Sequence, residues 1–121
     1  YPIDFMNKVK KARAVKGPAY IHCLSVCPTG WRAESKDCIK LGRLAVETGI
    51  FPLYEVENGE YRLTVEKPQT LRPVTDYLKL QGRFRHLSKE EVGFFQERVN
   101  LEFAKLMNKV ECLQSWDELK G

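Results

Sequence analysis

Long apolar runs are missing from this sequence. No segment approaches the ~20 consecutive apolar residues that span a bilayer, and no charged-then-apolar leader opens the chain. It also lacks a phosphate-cradling glycine loop, a dinucleotide fingerprint and any Ser-His-Asp pattern, which removes the commonest nucleotide-binding and hydrolase readings. Histidine is limited to His22 and His86, and the four cysteines, Cys23, Cys27, Cys38 and Cys112, never form a Cys-x-x-Cys pair. That spacing argues against a zinc site, and cysteine this sparse argues against a secreted disulfide scaffold. The expected compartment is a reducing cytoplasm. Strong charge of one sign is absent too. The formal net charge is +4, with no basic face interleaved with aromatics, so no nucleic-acid partner is expected. The densest basic stretch, residues 8–16, reads as a solvated helix face favourably placed near a helix C-terminus, with a docking surface as the alternative.

What remains is an ordinary folded composition. Hydrophobic residues at 43% and charged residues at 30% exclude disorder as the default for these 121 residues. The first residue is Tyr1, so the chain is expected to be processed, trimmed or a piece of something longer. Residues 1–16 read as an amphipathic helix carrying Phe5, Met6, Val9 and Ala12, stopped by Gly17-Pro18. Residues 19–26, apolar on both faces between two prolines, read as a buried parallel strand. A second helix is expected over 35–48, with Ile39, Leu41, Leu44, Ala45 and Thr48 inward and Gly49 as its cap. Asn58-Gly59 between two strand-like runs marks a hairpin, because a type I′ turn needs positive φ at both central residues. A loop over 67–73 and a short helix over 74–80 follow.

Ser88-Lys89-Glu90-Glu91 is a capping box, and Val92, Phe95, Val99, Phe103, Leu106, Val110 and Leu113 then step by three and four. A helix of that length is expected to overhang a small body and pack on another chain or another part of this one. The sum is an α/β chain with an incomplete sheet: an α/β portion over 1–87 and a helical arm over 88–121.

The chemistry centres on "IHCLSVCPTGWR", residues 21–32. Cys27 falls at the carboxyl end of the expected strand, where open α/β sheets gather functional groups. A Pro-Thr-Gly turn behind it can direct backbone N–H groups at the sulfur, which favours thiolate and suits a metal ligand. A buried cysteine acting as a small hydrophobe is the competing reading. Cys23 shares a strand face with Cys27 but lies ~13 Å away at 3.3 Å per residue, too far for a disulfide or a shared cluster edge. It is expected to be core packing. His22 sits on the opposite parity from Cys27, which argues against a catalytic pair and suggests a core histidine. A small zinc or redox protein built on Cys23, Cys27, Cys38 and His22 would have poor ligand geometry.

The runs "GPAYIHCLSVCPTGWR", "IKLGRLAVETGIFPLYEVENGEYRLT" and "PVTDYLKLQGRFRHL" carry a resemblance in order and spacing. Over residues 1–87 the chain resembles the C-terminal part of the beta subunit in the 2-oxoacid:ferredoxin oxidoreductase family, of the pyruvate type; the tail helix fits in position. The resemblance implies the C-terminal portion of a thiamine diphosphate-binding fold. It implies an enzyme complex that oxidatively decarboxylates pyruvate to acetyl-CoA and CO2 and passes electrons through 4Fe-4S clusters to ferredoxin. Thiamine diphosphate, Mg2+ and a 4Fe-4S cluster are the implied cofactors, with three cluster cysteines and the diphosphate–metal motif expected upstream. Cys27 matches the position of the fourth cluster cysteine. Thr29, Gly30 and Trp31 are then expected around it, with core packing an equal alternative for Trp31. Family members usually carry an aliphatic residue at the Cys23 position, and Cys38 is outside the pattern. The implied partners are the upstream part of the subunit, the other subunits and ferredoxin, with the chain alone inactive. The competing reading from another class is a cofactor-free assembly module docking through its long last helix.

Overall fold

The computed structural model describes residues 1–66, 68 and 70–118, with 112–118 as backbone alone. Helix α1 (Pro2–Ala14) leads into an extended segment. A one-turn helix α2 (Pro28–Trp31), a 3-10 turn (Ser35–Asp37) and helix α3 (Cys38–Glu47) follow. Strands β1 (Tyr54–Glu57) and β2 (Glu60–Leu63) form an antiparallel hairpin. After it come α4 (Val74–Leu78), a second 3-10 turn (Gly82–Phe84) and the long α5 (Lys89–Glu118). The architecture is mixed: helices around a small hairpin, with the long helix last.

Local signals placed several of these elements well. Asn58 and Gly59 adopt φ of 53° and 86°, and the strands pair from Tyr54 with Leu63 to Glu57 with Glu60. That is the backbone a two-residue hairpin loop demands, and glycine enters it without the Cβ penalty. The Ser88 amide donates to Glu91 Oε2 at 2.7 Å and the Glu91 amide to Ser88 Oγ at 3.2 Å, closing the capping box that starts α5. Helix α3 ends where Gly49 turns off, its N–H donating to the Val46 carbonyl at 3.0 Å.

The core lies between α3 and α4. Leu41, Leu44, Ala45, Val74, Tyr77 and Leu78 are buried together, and Val92, Phe95 and Val99 of α5 pack against them. Helix α5 also reaches the hairpin, where the Lys109 ammonium sits 4.8 Å from the Tyr61 ring centroid. The helix thus lies on the body instead of overhanging it from Val92 through Lys109. Leu113, Cys112 and the loop positions Lys67 and Gln69 fall outside the residues described in full.

Several expectations fail, the strand first. Residues 19–26 form no strand: they lie extended, with most side chains exposed, because the sheet among the described residues contains β1 and β2 alone. A strand exists by pairing, and no parallel neighbour is present among the described residues. Cys23 and His22 are accordingly exposed, not core residues, although the His22 ring meets Phe51 edge-on at 5.1 Å. Ile39, expected on the inner face of α3, is 72% exposed, and α1 buries no residue at all. Polar ties hold α1 to the hairpin instead. Lys8 bonds Asp4 at 2.6 Å and Thr64 at 2.7 Å, and Lys11 pairs with Glu55.

Candidate functional site

Cys27 occupies the N-cap of α2. Its backbone is extended (φ −114°, ψ 98°), Pro28 at the first helical position supplies a preset φ, and the Trp31 amide donates to the Cys27 carbonyl at 2.9 Å. The Gly30 N–H donates to Cys27 Sγ at 3.3 Å, so the turn does direct a backbone donor at the sulfur. The space beside the sulfur is limited, since a Cβ on Gly30 would meet Sγ at 3.2 Å. The thiol itself is exposed and free of any disulfide. The amide thus fixes the direction of the sulfur on an exposed residue.

A rigid frame holds this turn from behind. Arg32 ends α2 in the left-handed conformation (φ 52°, ψ 48°), its N–H reaching the Thr29 carbonyl at 3.2 Å. The Ala33 N–H donates to the Pro28 carbonyl at 2.9 Å, so successive amides close the turn on itself. The Arg32 carbonyl then accepts the Gly82 N–H at 2.9 Å, which ties α2 to the second 3-10 turn across the chain. Trp31, half-buried, meets Tyr77 of the core at a centroid distance of 6.2 Å and an interplanar angle of 71°. Over its ring lies the Arg83 guanidinium, 4.2 Å from the centroid, while Arg83 Nε donates to Gln81 Oε1 at 2.9 Å.

Each expected site residue can now be placed. Cys27, Gly30 and Trp31 share one turn. Gly30 contacts the sulfur through its amide, whereas the Trp31 ring serves the core frame. Thr29 is exposed and takes part through its carbonyl. Gly82, Arg83 and Tyr77, which fix this turn, escaped the sequence reading. A Gly-Arg pair some fifty positions from Cys27 carries no local periodicity that would link the two. Among the described residues, no three His, Cys, Asp or Glu side chains come together to hold a metal. A lone thiol of this kind could supply at most one ligand to a metal group held mainly by other residues.

The arrangement defines an α/β chain that presents an exposed cysteine, its sulfur accepting a backbone amide, on a braced turn. Comparison with known proteins gives this class a family. The chain is 52% identical over 107 residues to pyruvate synthase subunit PorB of Methanocaldococcus jannaschii, covering 88% of this chain and 35% of that subunit. It is 43% identical over 112 residues to ketoisovalerate oxidoreductase subunit VorB of Pyrococcus abyssi, covering 92% of this chain and 36% of that subunit. Against PorB of Methanothermobacter marburgensis the identity is 51% over 100 residues, covering 83% and 34%. No family model matches the chain. The chain belongs to the family of these PorB and VorB subunits, and it spans about a third of the length of the relatives it matches. Among the described residues no helix is long and apolar enough to cross a membrane.

Proposed function

We propose that this chain is part of a 2-oxoacid:ferredoxin oxidoreductase acting on pyruvate, in which Cys27 supplies one thiolate ligand to a 4Fe-4S cluster. The overall reaction converts pyruvate, coenzyme A and two oxidised ferredoxins into acetyl-CoA, CO2, a proton and two singly reduced ferredoxins. When bound, the cluster would supply the one-electron carrier between the substrate and ferredoxin. This chain's residues do something narrower. Cys27 offers its sulfur, the Gly30 amide donates to it, and Trp31, held edge-on by Tyr77 and covered by Arg83, fixes its direction together with the Gly82–Arg32 bond.

The observation that carries the reading is the exposed Cys27 sulfur with the Gly30 N–H at 3.3 Å, on a chain 52% identical to a pyruvate synthase subunit. A four-iron cluster takes four thiolates, so the other ligands belong to further parts of the assembly, as do thiamine diphosphate and Mg2+. The chain by itself is then inactive, and its partners are the remainder of the subunit, the other subunits and ferredoxin. Its place is the cytoplasm, where thiols stay reduced.

Iron and acid-labile sulfide content tests this, measured on the assembled enzyme purified without oxygen. Cys27→Ala should lose iron and the broad visible absorption of the cluster while leaving the circular dichroism of the assembly unchanged. Unaltered iron in that variant overturns the assignment. The same measurement on the 121-residue chain alone should find no iron; a stoichiometric cluster there would make Cys23, Cys38 or Cys112 a ligand and refute the single-thiolate reading.

A further inference from the structure

Four asparagines occur in the chain, and three of them sit in helices: Asn7 in α1, Asn100 and Asn108 in α5. In a helix the amide that follows an asparagine is tied to the carbonyl four residues back. A bulky side chain follows each of the three as well, Lys8, Leu101 and Lys109. Asn100 is held further through its Oδ1, which accepts from Gln96 Nε2 at 2.9 Å. Asn58 differs in every respect. It stands at the tip of the hairpin, followed by Gly59, and both are exposed. Neither its carboxamide nor the Gly59 N–H has a hydrogen-bond partner among the described residues. A Cβ built on Gly59 would meet nothing within 4 Å, so the space around this residue is open.

An unbonded carboxamide beside an unhindered amide nitrogen is an electrophile next to a nucleophile. We propose that Asn58-Gly59 is a self-modification site, at which the chain deamidates and isomerises without an enzyme. The Gly59 nitrogen gives its proton to hydroxide and bonds to Asn58 Cγ, while the Cγ–NH2 bond breaks and ammonia leaves. Water then opens the five-membered imide at either carbonyl. The products are aspartate or, with the main chain rerouted through Cβ, isoaspartate. A two-stranded hairpin is marginal by itself, so its tip opens readily enough for the nitrogen to reach Cγ. The consequences follow from what the tip holds. Glu57 faces Glu60 across the strands, so a carboxylate at position 58 adds to like charge already opposed. Isoaspartate inserts one more main-chain atom, for which a two-residue turn has no room, and the pairing from Tyr54 with Leu63 to Glu57 with Glu60 loses its register. Because Lys11–Glu55 and Lys109–Tyr61 fasten α1 and α5 to this hairpin, the product loosens both. The site is independent of Cys27.

Peptide mapping by mass spectrometry tests the proposal on the 121-residue chain, aged in ammonia-free buffer at neutral and at mildly alkaline pH. Loss of ammonia with gain of water should accumulate at Asn58 about tenfold or more faster than at Asn7, Asn100 or Asn108, because helix amides open less often than turn amides. The rate should climb with pH, since the attacking nitrogen must first give up its proton. Isoaspartyl methyltransferase with S-adenosylmethionine reads the second product: the aged chain should accept methyl groups and the fresh chain should not. An intact carboxamide at Asn58 overturns the proposal, as do equal rates at all four asparagines. Deamidation without methyl acceptance overturns it in favour of direct hydrolysis. Gly59→Ala, compared with wild type in urea so that the strain of alanine at φ 86° plays no part, should slow the reaction several-fold by crowding the nitrogen. A wild-type rate in that variant refutes attack by the Gly59 nitrogen.

Discussion

Replacing Gly82 with alanine puts the bracing of the Cys27 turn to the test. A Cβ at position 82 would lie 2.8 Å from Arg32 Cβ and 3.0 Å from the Arg32 carbonyl oxygen. Neither atom belongs to a flexible side-chain end. Arg32 is held in the left-handed region at φ 52°, and its carbonyl already accepts the Gly82 N–H at 2.9 Å. Relief needs one loop to shift, which costs about 1–3 kcal/mol as overpacking. The hydrogen bond would go with the shift, at about 0.5–1.5 kcal/mol if it breaks fully. Against this stands the lower unfolded-state entropy of alanine, about 0.4–1 kcal/mol in favour of the variant. Sterics win, by about 2 kcal/mol at the middle of these ranges, or a Tm lower by about 10 °C for a chain of this size.

Thermal unfolding followed by circular dichroism reads the shift directly, and Gly93→Ala is the control. Gly93 lies in α5 with nothing within 4 Å of a built Cβ, so alanine there should stabilise by about 0.5–1 kcal/mol. A Gly82→Ala protein as stable as wild type, or a Gly93→Ala protein destabilised equally, would refute the steric account. Either result would remove the Gly82–Arg32 contact as the brace of α2.

Ser88→Ala removes the hydroxyl that accepts the Glu91 amide at 3.2 Å, and should cost about 1 kcal/mol in urea unfolding. Leu41, fully buried between α3 and α4, should lose about 2–5 kcal/mol on truncation to alanine, enough to unfold a core this small at moderate temperature. Stability should also fall in acid. Asp76 is held below its ordinary value of 3.8 by hydrogen bonds from Lys79 and Arg72. Glu91 is held below its ordinary 4.5 by the Ser88 amide and hydroxyl, and Glu102 below the same value by Lys105. Folded values below unfolded ones give stabilisation that is complete above the ordinary carboxylate range and lost as pH falls through the depressed values. A pH series of urea midpoints should therefore decline below about pH 4.5, and Glu91→Gln should soften that decline; a flat acid limb would contradict it.

What the sequence made legible and what it did not divide along a physical line. The hairpin turn at Asn58-Gly59, the stop at Gly49 and the capping box at Ser88 and Glu91 are set by backbone sterics and by amides a few residues away. Their causes are local, so local reading finds them. The inner face of α3 was legible for Leu41, Leu44, Ala45 and Thr48 because helical periodicity aligned them on the α4 core. The amide that the Pro-Thr-Gly turn aims at the Cys27 sulfur was legible for the same local reason, since N-cap geometry brings the Gly30 N–H there. Arg83 over Trp31 was not, because a guanidinium stacked on a ring fifty positions back leaves no period to detect.

Residues 19–26, Ile39 and the apolar row of α1 were misread in a more instructive way. Their composition is that of buried residues, yet most of them stay exposed, with nothing among the described residues to cover them. Hydrophobic pattern records the surroundings a residue is suited to, whereas exposure records the surroundings one chain supplies. Where the two disagree over one contiguous surface, from Phe5 through Ile21 and Leu24 to Ile39, the disagreement outlines an interface. Scattered exposed apolar residues would carry no such meaning, because ordinary protein surface is more than half apolar. Here they flank an extended backbone without a hydrogen-bond partner among the described residues, so composition and exposure part over one continuous surface.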